Sequence, residues 1–253
     1  MYKGFNLKIN IKEDPTFWSY HQAGKELYQN NLVDVGKTFN SFLDKDGTID
    51  GSKMQANWFP QYNSDVFISH SHADEDLAIF LSGWLSKKHG IKSFIDSCLW
   101  GYSNDLLKEI DNHYSWTDAT KSFYSYDKVN YSSSHIHMML SNALAMMIDK
   151  SECFIFLNTP KSVVPFKEMD KTKSPWIYSE IVLSKLIEKK APNRPMKLTE
   201  KFSNFSGEEK KLEIKYNLDL THLTPIDFNS FFEKWGSIKY ASKNAALDSL
   251  YLI

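Results

Sequence analysis

Several things are scarce in this chain of 253 residues, and each scarcity closes a line of explanation. The two cysteines, Cys98 and Cys153, stand far apart and in no C-x-x-C pair. A disulfide framework and a zinc knuckle are thereby unsupported, and a cytoplasmic location is expected. Charge of one sign is missing too: 30 basic against 31 acidic residues leave a net charge of −1. With no positive field to draw polyphosphate, nucleic acid is not expected as a partner. No run of 18 apolar residues occurs, and Met1–Lys8 lacks the apolar core of a signal peptide. No membrane association is expected. Neither G-x-G-x-x-G nor G-x-x-x-x-G-K-S/T is present, so hydride and phosphoryl transfer lack their phosphate cradles. What abounds is aromatic: 15 % of the chain is Phe, Tyr or Trp, which favours a folded, pocketed protein over a disordered one.

Patterning divides the chain into three parts. Residues 1–60 read as an N-terminal accessory segment. There Phe5, Leu7, Ile9 and Ile11 alternate with polar residues as in an edge strand. Asp14-Pro15 sets an N-cap before a first-turn Pro and opens a helix to about Asn30, and a second helical stretch covers Leu32 to Leu43. The acidic segment Asp44–Gly51 invites a calcium-loop reading, but a loop starting at Asp46 puts Asn57 where a bidentate Glu is needed. A turn into a helix over Ser52–Trp58, capped by Asp50 or Ser52, is the better account.

Residues 61–225 alternate strand and helix. Strands are expected at Asp65–His70, Ile91–Asp96 and Cys153–Leu157, with a helix from Leu77 to the Gly90 cap between the first two. A loop at Ser97–Ser103, a helix at Asn104–His113 and an irregular insertion at 114–133 follow. Ser133 or Ser134 would then cap a helix running to Lys150. His135 and His137, two apart, face different directions on a helix, and no metal site is assigned. Leu212–Leu220 reads as a strand. Residues 226–253 form a C-terminal helical segment, with helices at Phe228–Trp235 and Tyr240–Leu252. Together these features predict an α/β fold, a central parallel sheet with helices on both faces. Ligands in such sheets sit beyond the carboxyl ends of the strands, here at loops Ser69–Asp76, Ser97–Ser103 and Asn158–Ser174.

The most telling stretch is Trp176-Ile177-Tyr178-Ser179-Glu180, in an apolar-periodic run from Pro175 to Lys190. Positions four apart share a helix face, so the Trp176 indole and the Glu180 carboxylate point the same way. An aromatic plate beside a lone acid suits a cationic sugar–base bond such as that of NAD⁺: the ring stacks on the base, and the carboxylate meets positive charge developing at the anomeric carbon. Core plus solvated rim is the competing account of the same spacing.

Four blocks, Asp65–His70, Phe94–Asp96, Phe154–Asn158 and Ser174–Ile181, resemble in order and spacing the signature blocks of a TIR domain. The likeness covers roughly residues 64–190 and is similar to the bacterial branch that cleaves NAD⁺, in particular the TIR proteins of Thoeris antiphage systems. It implies a flavodoxin-like TIR fold, with Glu180 as catalytic glutamate and Trp176 opening the same W-x-x-x-E motif. It also implies that Ser69, His70 and Ser71 line the nucleotide site, that Asp96 is the acid ending the second strand, and that Ser97–Ser103 is a covering loop. Trp100 and Tyr102 in that loop would stack on the base or mark a protein contact. NAD⁺ would be a consumed substrate, with no cofactor. In such a system the product is a diffusible nucleotide read by a separate effector, and the chain is a candidate homo-oligomer. The insertion at 114–133, the segment 1–60 and the run His70-Ser71-His72 depart from the family pattern. Two other readings stay open: a non-catalytic TIR assembly module, and a nucleoside N-glycosyl transferase.

Overall fold

The computed structural model describes residues 1–9, 11, 14–29, 42, 44–46, 48–100, 103–164, 170–192 and 215–253. The chain forms two compact units, one of Met1–Asn30, Asn63–Ile95 and Met147–Ile253, the other of Asn31–Tyr62 and Asp96–Met146. The strands are β1 (Lys3–Lys8), β2 (Val66–Ser69), β3 (Ser93–Phe94), β4 (Cys153–Asn158), β5 (Lys171–Thr172), β6 (Tyr216–Asn217) and β7 (Thr224–Asp227). The α-helices are α1 (Pro15–Gln29), α2 (Gly51–Trp58), α3 (Glu75–His89), α4 (Asp96–Leu99), α5 (Ser103–Tyr114), α6 (Tyr126–Lys150), α7 (Pro175–Leu186) and α8 (Lys243–Leu250). None of them is long and apolar enough to cross a membrane.

The first unit is an α/β structure built on a five-stranded sheet in the order β3-β2-β4-β1-β7, parallel at every pairing. All of β2 and Cys153–Leu157 of β4 are buried. Adjacent residues of a strand face opposite ways, so both faces of the sheet are covered, as their unbroken apolar runs require. The chain leaves β2 outward to edge strand β3, and leaves β4 the other way, towards β7. Neighbouring parallel strands whose connections diverge make a topological switch point, the place where open α/β sheets bind ligands. Here it lies between the carboxyl ends of β2 and β4.

The start of the segment 1–60 joins the central sheet. The strand β1 is interior rather than an edge, with Lys3 opposite Cys153 and Lys8 opposite Asn158 on one side, and Phe5 opposite Thr224 on the other. Its alternation misled because Asn6 looks solvent-facing. In fact it is buried, and its amide oxygen accepts from Asn158 Nδ2 at 3.0 Å, the partner a buried amide requires. The helix α1 starts as its sequence predicts, Asp14 Oδ1 accepting from Phe17 N–H at 2.8 Å, and it packs along α3. Phe17 stacks on Phe80 at 4.6 Å, and Tyr28 donates to Ser82 Oγ at 2.7 Å.

These two helices meet at glycine. A Cβ on Gly83 would lie 2.0 Å from Tyr20 O, and one on Gly24 would lie 2.1 Å from Ile79 O. In an exposed helix, alanine in place of glycine gains up to about 1 kcal/mol. At this crossing the backbones would have to part. Gly83→Ala is therefore expected to lower stability by roughly 1–3 kcal/mol, read as a fall in the urea midpoint. A rise would mean that the helices cross less closely.

In the second unit Asp50 is the cap of α2, its carboxylate accepting from Lys53 N–H at 2.9 Å, while Asp46 accepts from Thr48. The irregular insertion shrinks to residues 115–125, because α6 begins at Tyr126, eight residues before the predicted Ser134. Ser133 and Ser134 are interior to the helix and cap nothing. The polar run before them reads as loop, yet Ser132 is buried and donates to Asp111 Oδ1 at 2.6 Å, as does Ser115. The expected strand Ile91–Asp96 reduces to Ser93–Phe94, and Asp96 opens the single turn α4. The C-terminal helices are a π-helical turn at Asn229–Lys234 and α8, and β7 was not anticipated. The predicted helix Leu32–Leu43, apart from Phe42, and Tyr102 lie outside the described residues, as does part of Leu212–Leu220.

Candidate active site

The helix α7 is set by local chemistry. Ser174 accepts from Ile177 N–H at 3.2 Å as N-cap, and Pro175 takes the first helical position. Its inward face is Ile177, Glu180, Ile181 and Ser184, all buried. Three of these four suit a core, and Glu180, only 3 % exposed, does not. A carboxylate taken from water costs several kcal/mol unless hydrogen bonds replace its hydration. Ser69, the last residue of β2, donates its hydroxyl to Glu180 Oε2 at 2.6 Å, the short distance of a hydroxyl–carboxylate bond. Residues 111 apart thus meet at the carboxyl end of β2, beside the switch point.

Around this pair the loops leaving β2 and β4 are tied together. After Ser69 come His70, buried, and Ser71, partly exposed, whose carbonyl accepts from Asp74 N–H at 2.7 Å to close a turn over His72–Asp74. Thr159, the first residue past β4, donates its hydroxyl to the buried Asp74 carboxylate at 2.5 Å. Lys161 Nζ lies 3.4 Å from the same carboxylate and donates to Ala73 O at 2.8 Å. Thr159 N–H is held by Ser162 Oγ at 2.9 Å. Asp74, Thr159 and Lys161 were not singled out in the sequence. Thr159 was open to discovery, since it directly follows the carboxyl end of an apolar strand.

The rear of α7 is anchored separately. Lys185 pairs with Asp219, whose carboxyl is drawn down to about 2: burial alone would raise it, but hydrogen bonds from Lys185 and Thr221 outweigh that. Ser184 Oγ lies 2.8 Å from His222 Nε2 and 2.9 Å from Ile181 O. The Ser184 proton goes to the carbonyl, so His222 Nε2–H is the donor to Ser184, an assignment from the bonding pattern. Burial pushes His222 down to about 4 and keeps it neutral. A serine that is buried and has given its proton to a backbone carbonyl is a structural tie and not an activated nucleophile.

Of the residues singled out in the sequence, Ser69, His70, Ser71, Trp176 and Glu180 belong to the first unit, and Ser69 and Glu180 are in direct contact. Trp176, one turn before Glu180, is half-buried. Asp96 and Trp100 belong to the second unit. Trp100 is not an exposed stacking plate. It is 6 % exposed, meets Phe59 edge-on at 5.4 Å and donates its indole N–H to Pro60 O at 2.9 Å. The start of the expected loop coils into a helical turn, Trp100 N–H bonding Asp96 O at 2.9 Å, and carries the ring inward. No group of three or more His, Cys, Asp or Glu side chains suited to a metal occurs among the described residues.

A buried acid that accepts from the Ser69 hydroxyl, at the carboxyl end of a parallel sheet, is equipped to stabilise positive charge on a substrate. No protein-family model matches the chain, and no curated protein or solved structure matches it either.

Proposed function

We propose that the chain is a TIR-type NAD⁺ nucleosidase, in which Glu180 promotes cleavage of the nicotinamide–ribose bond. The observation that carries this reading is the Ser69–Glu180 hydrogen bond. It joins the first and last of the four sequence blocks behind the resemblance, at the carboxyl end of β2. The relative order of β3, β2 and β4 supports it too, since a flavodoxin-like sheet begins 2-1-3 in the same sense. The place after those three is filled by β1 from the N-terminus, a departure from that winding.

Nicotinamide leaves as a neutral base, so little acid catalysis is needed. The bond from ribose C1′ to the pyridinium nitrogen breaks with its electron pair going to nitrogen, and an oxocarbenium-like ribose develops. Glu180 stabilises that charge more than it stabilises bound NAD⁺, which is the condition for rate enhancement. Water then adds at C1′, giving ADP-ribose, nicotinamide and one proton; an internal acceptor gives a cyclic product. In the antiphage role implied by the resemblance, that nucleotide is the signal read by a separate effector.

The test is nicotinamide release from NAD⁺ by the full chain, with nucleosides and deoxynucleosides as competitors and products identified by mass spectrometry. Nicotinamide with an ADP-ribose-derived product is the expected result. Cleavage of nucleosides in preference to NAD⁺ overturns the substrate, and no cleavage at high protein concentration overturns the enzyme. Ser69→Ala removes the hydrogen bond that Glu180 Oε2 accepts from β2, and misplacing a catalytic group costs about 10²-fold in kcat. Ser69→Thr, which keeps the hydroxyl, should retain more activity. Equal kcat for all three proteins would remove Ser69 from the machinery.

A further inference from the structure

We propose that Thr159 is a positioning residue for the candidate site: its hydroxyl clamps Asp74, and the clamp holds loop 70–73 beside the substrate crevice. The assignment rests on the NAD⁺-cleaving reading above. That loop is short, and each of its ends is fixed by a hydroxyl–carboxylate bond. At its start Ser69 donates to Glu180 Oε2 at 2.6 Å, and at its end Asp74 Oδ2 accepts from Thr159 at 2.5 Å. The first bond reaches α7. The second crosses to the chain leaving β4, 85 residues away. In the sheet Ser69 stands opposite Phe156, three residues before Thr159. The Asp74–Thr159 bond therefore links the chain beyond the two strand ends that flank the switch point, where open parallel sheets take their ligands. Asp74 and Thr159 are both buried.

The Thr159 hydroxyl is set up as a donor. A hydroxyl has one proton and two lone pairs. Lys161 N–H and Ser162 N–H donate to Thr159 Oγ at 3.1 and 3.2 Å, which occupies both lone pairs. The proton has a second acceptor in Ser162 Oγ, but at 3.5 Å it lies farther off than the Asp74 carboxylate. Two N–H groups on the oxygen polarise the O–H outward and strengthen its bond to Asp74, and a charged acceptor strengthens it again. Lys161 Nζ donates to Ala73 O at 2.8 Å and lies 3.4 Å from Asp74 Oδ1, yet its side chain is 60 % exposed, where such contacts contribute little. The hydroxyl is what holds the loop. Without it the local turn from Ser71 O to Asp74 N–H remains, so the loop keeps its shape and loses its place. The two ends then have separable effects. Ser69 steadies the Glu180 charge, and its loss falls on kcat. Loss of Thr159 lowers the fraction of molecules with the loop in place, and apparent affinity falls with that fraction.

The test is Thr159→Val in the full chain, which keeps the branched shape and removes the hydroxyl. KM for NAD⁺ should rise about tenfold, as for a loop in place about one-tenth of the time, with kcat within about threefold of wild type. Amide hydrogen exchange at residues 70–74 should quicken by about the same tenfold. Thr159→Ser, which restores the hydroxyl, should return both measurements towards wild type. Asp74→Asn keeps an acceptor and removes the charge, so it should move both the same way by less; it replaces the valine variant if that chain does not fold. An unchanged KM, a loss confined to kcat, or a failure of serine to rescue overturns the positioning role. Unchanged exchange at 70–74 overturns the clamp itself. A wild-type chain that releases no nicotinamide overturns the nucleosidase reading and the positioning role with it, and hydrogen exchange then decides the clamp alone.

Discussion

Glu180→Gln is expected to lower nicotinamide release by about 10²–10³-fold, the usual cost of removing one well-placed electrostatic stabiliser, while the protein stays folded. The two parts of this expectation have separate causes. The amide oxygen of Gln still accepts from Ser69, so the 2.6 Å tie between β2 and α7 is kept. What disappears is the negative charge, which matters only once the ribose becomes cationic. The loss should therefore fall on kcat with little change in KM, as for an interaction made in the transition state alone. Substituting Asp shortens the side chain by one methylene and breaks contact with Ser69 while keeping the charge. Asp at this position should recover only part of the activity. If Gln matches wild type in rate, the proposed mechanism is wrong.

Acid is expected to destabilise the first unit through two buried histidines. His89, in the last turn of α3, lies 4.4 Å from the Trp235 ring and 5.5 Å from those of Trp84 and Tyr240. Neither of its ring nitrogens has a hydrogen-bond partner among the described residues. Burial first, and then the neighbouring Lys88, push it down to about 4. The end of a helix favours a cation, so desolvation wins over the dipole here. His222 is lowered to about 4 as well, again chiefly by burial. Unfolded, both return to about 6.5. The unfolded chain therefore binds more protons between these values. The stability contribution is complete above about pH 6.5 and is lost as the pH falls towards 4. At pH 5 the loss should be roughly 1–2 kcal/mol per histidine, with the lower figure for His222, which water reaches more readily. Urea midpoints at pH 7.5 and pH 5 measure it. His89→Phe keeps an aromatic ring in the box and should flatten part of the slope. An unchanged slope in that variant would mean that His89 is already charged in the fold.

Much of the local structure was legible because it depends on neighbours in sequence. The caps at Asp14 and Asp50, the left-handed Gly90 at the end of α3 with φ of 67°, and the apolar runs of β2 and β4 need only residues a few positions away. Partners distant in sequence were not legible. Asn6 is a buried strand residue only because Asn158 meets it, and α6 starts early in a polar run tied to Asp111. The Trp100 ring, read as a plate in a loop, turns inward because Pro60 offers it a carbonyl.

Taken alone, the amino-acid sequence determined the α/β class of the fold, the placing of Glu180 on a helix and the presence of strand β2, since periodicity and capping act over one or two turns. Tertiary structure decided that β1 enters the sheet between β4 and β7, that the Glu180 carboxylate is buried against Ser69, and that Thr159 closes on Asp74. The reason is physical. A pattern of apolar residues says that a side must be covered, but which distant donor meets a buried acceptor is settled only when the whole chain packs.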